Sequence, residues 1–209
     1  NNGCTNSSFL PIANFGPDPS SICFVSVDNP TQHNFVYWSN PVTTVQLDSF
    51  LLLRKSDIQF GFDTIAVIPY DATAVYYSFE DLDTISVPTW GVTTDPVNPA
   101  AHYYTYGLAL KGVCGGTSIP TLYHTTINLQ VTTSNNGATF DLNWNAYGGL
   151  PFGVFELHKE TTTNPDLIFH NASSNTFIFT DVNTAPDPVL AYWITVPLDD
   201  ACDTLRAAN

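Results

Sequence analysis

The 209-residue chain is long enough for one large domain or two small ones with real cores, and its 44% hydrophobic and 13% aromatic content excludes intrinsic disorder. Charged residues make up only 11%, against roughly 25% in an average soluble domain, so Thr, Ser, Asn and backbone must cover much of the surface. Five Lys and Arg stand against nineteen Asp and Glu, a net charge of −14. This excludes a nucleic-acid partner, whose phosphates need clustered cations, and disfavours an anionic membrane surface.

Residues 1–20 are rich in Asn, Pro and Ser and read as a linker or N-terminal arm. Short β-branched and aromatic runs then recur about every ten residues between Pro, Gly, Asn and Asp, the spacing of a β-sandwich. The first set of strands is expected at Ile22–Val27, Asn34–Trp38, Gln46–Arg54, Thr64–Ile68, Val75–Phe79 and His102–Lys111. Between the last two, the Pro- and Thr-rich stretch Ser86–Pro99 reads as a loop insertion. Gly115, Gly116 and Pro120 punctuate a short joining segment. The second set is expected at Leu122–Thr132, Thr139–Trp144, Val154–Lys159, Asp166–His170, Thr176–Phe179 and Leu190–Val196. Asn136-Gly137 supplies the positive φ that a two-residue hairpin turn needs.

The two sets answer each other. Asn34–Trp38 matches Phe140–Trp144, Phe50–Arg54 matches Phe155–Lys159, and Ala101–Tyr106 before Cys114 matches Ala191–Val196 before Cys202. One Trp on an early strand and an aromatic penultimate strand, twice over, describe an all-β chain of two tandem sandwiches, residues 21–118 and 119–209. No run of about 18 apolar residues is present. The chain contains no Met and opens without a leader pattern, as a mature, trimmed or excised segment would. Four Cys at 4, 23, 114 and 202 are even in number and lack zinc spacing, which favours disulfides and an exported setting.

No nucleophile elbow, zinc-protease helix, phosphate loop or dinucleotide fingerprint occurs, so the chain reads as non-enzymatic and without a cofactor. His33, His102, His124, His158 and His170 fall on different strands without ligand spacing. Acidic residues cluster at strand ends, and Asp81, Asp83, Asp199 and Asp200 are weak candidates for structural Ca²⁺, which favours loop carboxylates. Trp90, in the long insertion, is the candidate ligand contact, since loops carry function more often than cores. Trp38, Trp144 and Trp193 lie on strands and read as packing.

Val36-Tyr37-Trp38-x-x-Pro41 together with Tyr106 resembles the fibronectin type III pattern. In order and spacing, Ile22–Asp28, Asp63–Ala72, Cys114-Gly115, His124–Leu129 and Leu142–Tyr147 resemble a paired module of large secreted Bacteroidetes proteins, many exported by the type IX system. The resemblance implies two fibronectin type III- or immunoglobulin-like sandwiches and an extracellular or outer-surface setting. It also implies a non-catalytic role in a surface appendage or filament. The alternatives are a glycan- or protein-binding module and spacer domains of a larger secreted enzyme. The partners implied are neighbouring repeats or copies of the same protein, and glycans, with no direct membrane insertion. In such a sandwich Cys23 and Cys114 share a pole and can bridge. Cys4 and Cys202 are left to pair with each other, between subunits, or with Cys beyond this segment. Asp63-Thr64-Ile65, Asp83-Thr84-Ile85 and Asp203-Thr204-Leu205 resemble the O-glycan acceptor pattern of exported Bacteroidetes proteins, with Thr64, Thr84 and Thr204 as acceptors. Asn1–Cys4 mimics Asp199–Cys202, and only Asp203–Asn209 follows. Two readings stay open: a segment of a longer tandem array with a short last strand, or an arm that completes a neighbour's sheet by strand addition.

Overall fold

A computed structural model describes residues 22–28, 31–41, 46–82, 84–87, 93–113, 115–120, 122–134, 139–182 and 188–197. Fifteen strands are described: β1 (Ile22–Val27), β2 (Asn34–Ser39), β3 (Leu47–Ser56), β4 (Asp63–Pro69), β5 (Tyr76–Asp81), β6 (Thr84–Val87), β7 (Thr93–Pro96) and β8 (Tyr104–Gly112) lead to β9 (Tyr123–Thr125). Then come β10 (Leu129–Ser134), β11 (Thr139–Trp144), β12 (Val154–Thr161), β13 (Leu167–Ser173), β14 (Ile178–Val182) and β15 (Val189–Thr195). No described helix is long and apolar enough to cross a membrane.

Sheets β1-β2-β5 and β4-β3-β8-β9 make the first sandwich; β10-β11-β14 and β13-β12-β15 make the second. Every pairing is antiparallel. Period-two alternation decides which face turns inward. On β2 it buries Asn34, Val36 and Trp38, and on β3 Phe50, Leu52, Arg54 and Ser56. β8 supplies Tyr104, Tyr106, Leu108 and Leu110 from the same sheet as β3. Trp38 has no exposed surface and meets Phe50 across the sheets edge-to-face, with ring centres 5.7 Å apart. Trp144 meets Phe155 in the same way at 5.8 Å. Burying such a pair stabilises each core by several kcal/mol, about 25 cal/mol for each Å² of apolar surface removed from water.

Three expectations change. Ser86–Pro99 is not a plain loop: β6 and β7 pair from Thr84↔Pro96 to Val87↔Thr93 as a two-stranded ribbon. Its Thr- and Val-rich arms have the composition of strands, and the prolines inside it had concealed them. The strand expected over Leu122–Thr132 is two strands in different sheets, because β9 pairs with β8 and β10 with β11. The segment Gly115–Pro120 does not join the sandwiches. It folds back on β8 through Lys111↔Thr117 and the bonds Gly112 N–H to Gly116 O (2.8 Å) and Ser118 N–H to Leu110 O (2.8 Å). The chain changes sheets at Thr126–Asn128, between β9 and β10.

Candidate functional site

A charge on the core face of β3 needs a partner, since an unpaired buried guanidinium is prohibitive. Arg54 Nη1 donates to Asp81 Oδ1 at 2.6 Å, and the Tyr106 hydroxyl donates to Asp81 Oδ2 at 2.6 Å. Arg54 and Asp81 side chains are 1% and 0% exposed. The second sandwich repeats the arrangement: Lys159 Nζ and the Tyr192 hydroxyl both donate to Asp181 Oδ2 at 2.8 Å. In both halves the cation and the tyrosine are cross-strand neighbours, Arg54↔Tyr106 and Lys159↔Tyr192. The equivalent of Tyr106 is therefore Tyr192, four residues before the Val196 that sequence matching pairs with it. Burial, then the adjacent Asp81 charge and hydrogen bond, push the Tyr106 hydroxyl well above its usual pKa. Burial and the bond to Asp181 raise that of Tyr192.

Cation, carboxylate and phenol are an acid–base set by type, and here each set ties the two sheets of its sandwich together, the first of them with its ion pair fully buried. Asp81 is thereby corrected as a Ca²⁺ candidate, because its two oxygens are occupied inside the core. The sequence carried a signal for this: Arg54 shares the parity of Phe50 and Leu52, so a buried carboxylate was required.

The histidines do not gather. His33 Nδ1 lies 2.7 Å from Glu80 and His102 Nδ1 2.8 Å from Asp57. His158 sits between Asp166 (2.7 Å) and Thr195 (2.9 Å) with its ring on Trp193, and His170 stacks on Phe179. Among the described residues no three His, Cys, Asp or Glu side chains are grouped to hold a metal. His124 is fully buried, and desolvation lowers its pKa from 6.5 to about 4, so it is a neutral core ring. Gly149, at φ +111°, passes so close to that ring that a Cβ there would come within 2.4 Å of it.

His124 lies where the two sandwiches meet. Thr125 and Gly148 form a backbone bridge. Tyr104 and Thr126 exchange two bonds of 2.9 Å, one from each backbone N–H. Asn128 Nδ2 donates to Pro99 O at 2.6 Å and Gln130 Nε2 to Ala100 O at 2.9 Å. The buried residues of both halves form one contiguous cluster. Beside this junction lies a cleft of about 460 Å³. Its described lining includes Phe24, Leu129, Tyr147 and Trp193 and no acidic, basic or histidine side chain.

Of the other sequence-derived site residues, Cys23 is buried beside Phe24 and Tyr37 and is disulfide-bonded, its partner lying outside the described residues. Thr64 is exposed on β4, at the edge of its sheet. Thr84 opens β6, and its side chain is not among those described. Cys4, Asp83, Trp90, Cys114, Asp199, Asp200, Cys202 and Thr204 lie outside the described residues. Sequence reading missed a second cleft, lined by Phe62, Tyr103 and Tyr123 on the first sandwich. Phe62 and Tyr103 directly precede β4 and β8 and Tyr123 opens β9, places where an aromatic residue reads as strand packing and gives no signal of exposure.

Fold and site together define a tandem β-sandwich module whose polar clusters are structural. No protein-family profile and no curated protein matches the chain. Among solved structures it is similar to the FN1–FN3 domains of chicken CNTN1, at 9% identity and TM-score 0.31, over 85% of this chain and 66% of that one. It is likewise similar to the central fibronectin-III array of RIM-binding protein, at 11% identity and TM-score 0.31, over 88% and 70%. The sandwich assignment rests on strand order and core contacts, not on these two similarities.

Proposed function

We propose that the chain is a stiff, non-catalytic structural and adhesive repeat of an extracellular bacterial surface appendage, of the kind its sequence resembles in Bacteroidetes. The observation that carries this reading is the junction. Backbone bridging at Thr125–Gly148, the Tyr104–Thr126 bonds and a shared apolar cluster hold the two sandwiches as one body. A flexible linker would cross with few contacts, whereas a junction of this kind transmits force and orientation. The low charged-residue content and the disulfide-bonded Cys23 support an exported setting. Neighbouring repeats or further copies of the chain are the partners this reading requires.

Small-angle scattering and negative-stain images of the purified chain test it. A single elongated shape with a fixed angle between lobes is expected, with end-to-end assembly at high concentration. A broad distribution of inter-lobe angles, a monomer at every concentration, or turnover of a substrate by this chain would overturn it.

A further inference from the structure

The outer face of the first sandwich carries aromatic rings that its core does not use. The turn joining β3 to β4 is fixed from within. Gln59 is buried, accepts from the Ser56 N–H at 2.9 Å and donates to Asp63 at 2.8 Å, while the Asp57 N–H donates to Tyr103 O at 3.2 Å. This well-held turn nonetheless leaves Phe60 92% exposed and Phe62 39% exposed. On β9, Tyr123 is 38% exposed and lies against Gly107 of β8, where a Cβ would come 2.7 Å from its ring. Glycine at that position lets the ring lie down on the sheet. Phe62 and Tyr123 have ring centres 4.8 Å apart at 32°, and Tyr103, 36% exposed, belongs to the same wall. Between the rings Lys55, Asp57 and Thr105 line a cleft of about 360 Å³, and His102 Nδ1 lies 2.8 Å from Asp57.

Rings fixed in water beside a few fixed donors and acceptors are the composition of a small-molecule site. A protein-docking core is instead depleted of charged groups, and this cleft has an ammonium and a carboxylate among its rings. A pyranose fits both halves of the chemistry. Its C–H face packs on an aromatic ring, and its hydroxyls accept from Lys55 and donate to Asp57, with Thr105 able to do either. The net charge of −14 repels acidic sugars. The geometry points to a binding platform for a neutral glycan chain, formed by Tyr103, Tyr123 and Phe62. It rests on the adhesive part of the function proposed above and gives that part a ligand class.

The test is calorimetric titration and saturation-transfer NMR of the intact chain with neutral gluco-, xylo-, manno- and chito-oligosaccharides. Binding by one or more is expected, weakened at least about tenfold by Tyr123→Ala and retained by Tyr123→Phe and by Tyr76→Ala on β5. If Tyr123→Ala melts early, Lys55→Met provides the second variant, with an expected loss of about fivefold. Three results would overturn the inference: no oligosaccharide binding at millimolar concentration, binding unchanged in a Tyr103→Ala/Tyr123→Ala double variant, or a wild-type dimer that Tyr123→Ala makes monomeric. If sugar binding fails while the stiff two-lobed shape persists, only the platform is refuted.

Discussion

Replacing Asp81 by Ala isolates the energetics of the buried ion pair, and the second sandwich supplies an internal control. In the variant Arg54, whose side chain is 1% exposed, would keep its charge inside the core without the carboxylate to which it donates at 2.6 Å. Breaking a buried pair on one side costs about 3–5 kcal/mol, a large share of the 5–15 kcal/mol that holds a domain together. Asp181→Ala leaves Lys159 behind instead. That side chain is 15% exposed, ends in a flexible stem able to reach solvent, and lies 4.6 Å from the centre of the Phe169 ring. The expected loss there is about 1–2 kcal/mol. The triple change Arg54→Met/Asp81→Leu/Tyr106→Phe removes the cation, the carboxylate and the phenol together and should recover much of the Asp81→Ala loss. Urea unfolding followed by tryptophan fluorescence and far-ultraviolet dichroism reads each midpoint and slope. A loss for Asp81→Ala no greater than for Asp181→Ala would refute the reasoning.

Three further outcomes are expected. His124 is held neutral in the folded state with its pKa lowered to about 4, so protonation favours unfolding. Its contribution is complete above about pH 6.5 and is lost as pH falls toward 4, at up to about 1.4 kcal/mol per pH unit. In unfolding measurements between pH 6.5 and 5, His124→Gln should flatten that slope, and an unchanged slope would contradict the assignment. Gly149→Ala must accept both a φ of +111° and a collision with the His124 ring, whereas nothing lies within 4 Å of a Cβ at Gly153. Thermal melts should show Gly149→Ala several degrees lower and Gly153→Ala nearly unchanged, and equal melting of the two would count against the packing described. Non-reducing peptide mapping should return a Cys23–Cys114 crosslink, and recovery of Cys23 joined to Cys4 or Cys202 would reassign it.

Much of the strand framework was legible in the chain because alternation is a local property. Asn34–Trp38 and Phe140–Trp144 each carry, within five or six residues, the information that one face is apolar and ends in a tryptophan. The duplication was legible for the same reason, since equal local patterns build equal sandwiches. Long-range register was not legible. Whether Tyr192 or Val196 stands where Tyr106 stands depends on which residue faces Lys159 across the sheet, and only the pairing of β12 with β15 sets that register.

The sequence by itself determined that strands would stack around two tryptophans, because a period-two apolar pattern is satisfied only by a buried sheet face. Only the tertiary structure decided that Asp81 is locked to Arg54 and not offered to a cation, that the sandwiches join at Thr126–Asn128, and that Tyr123 lies on Gly107 facing solvent. Each of those facts concerns residues about 15 or more positions apart, or belonging to different sheets. Their meeting is set by how strands pair and sheets stack, and no segment of the chain holds that information alone.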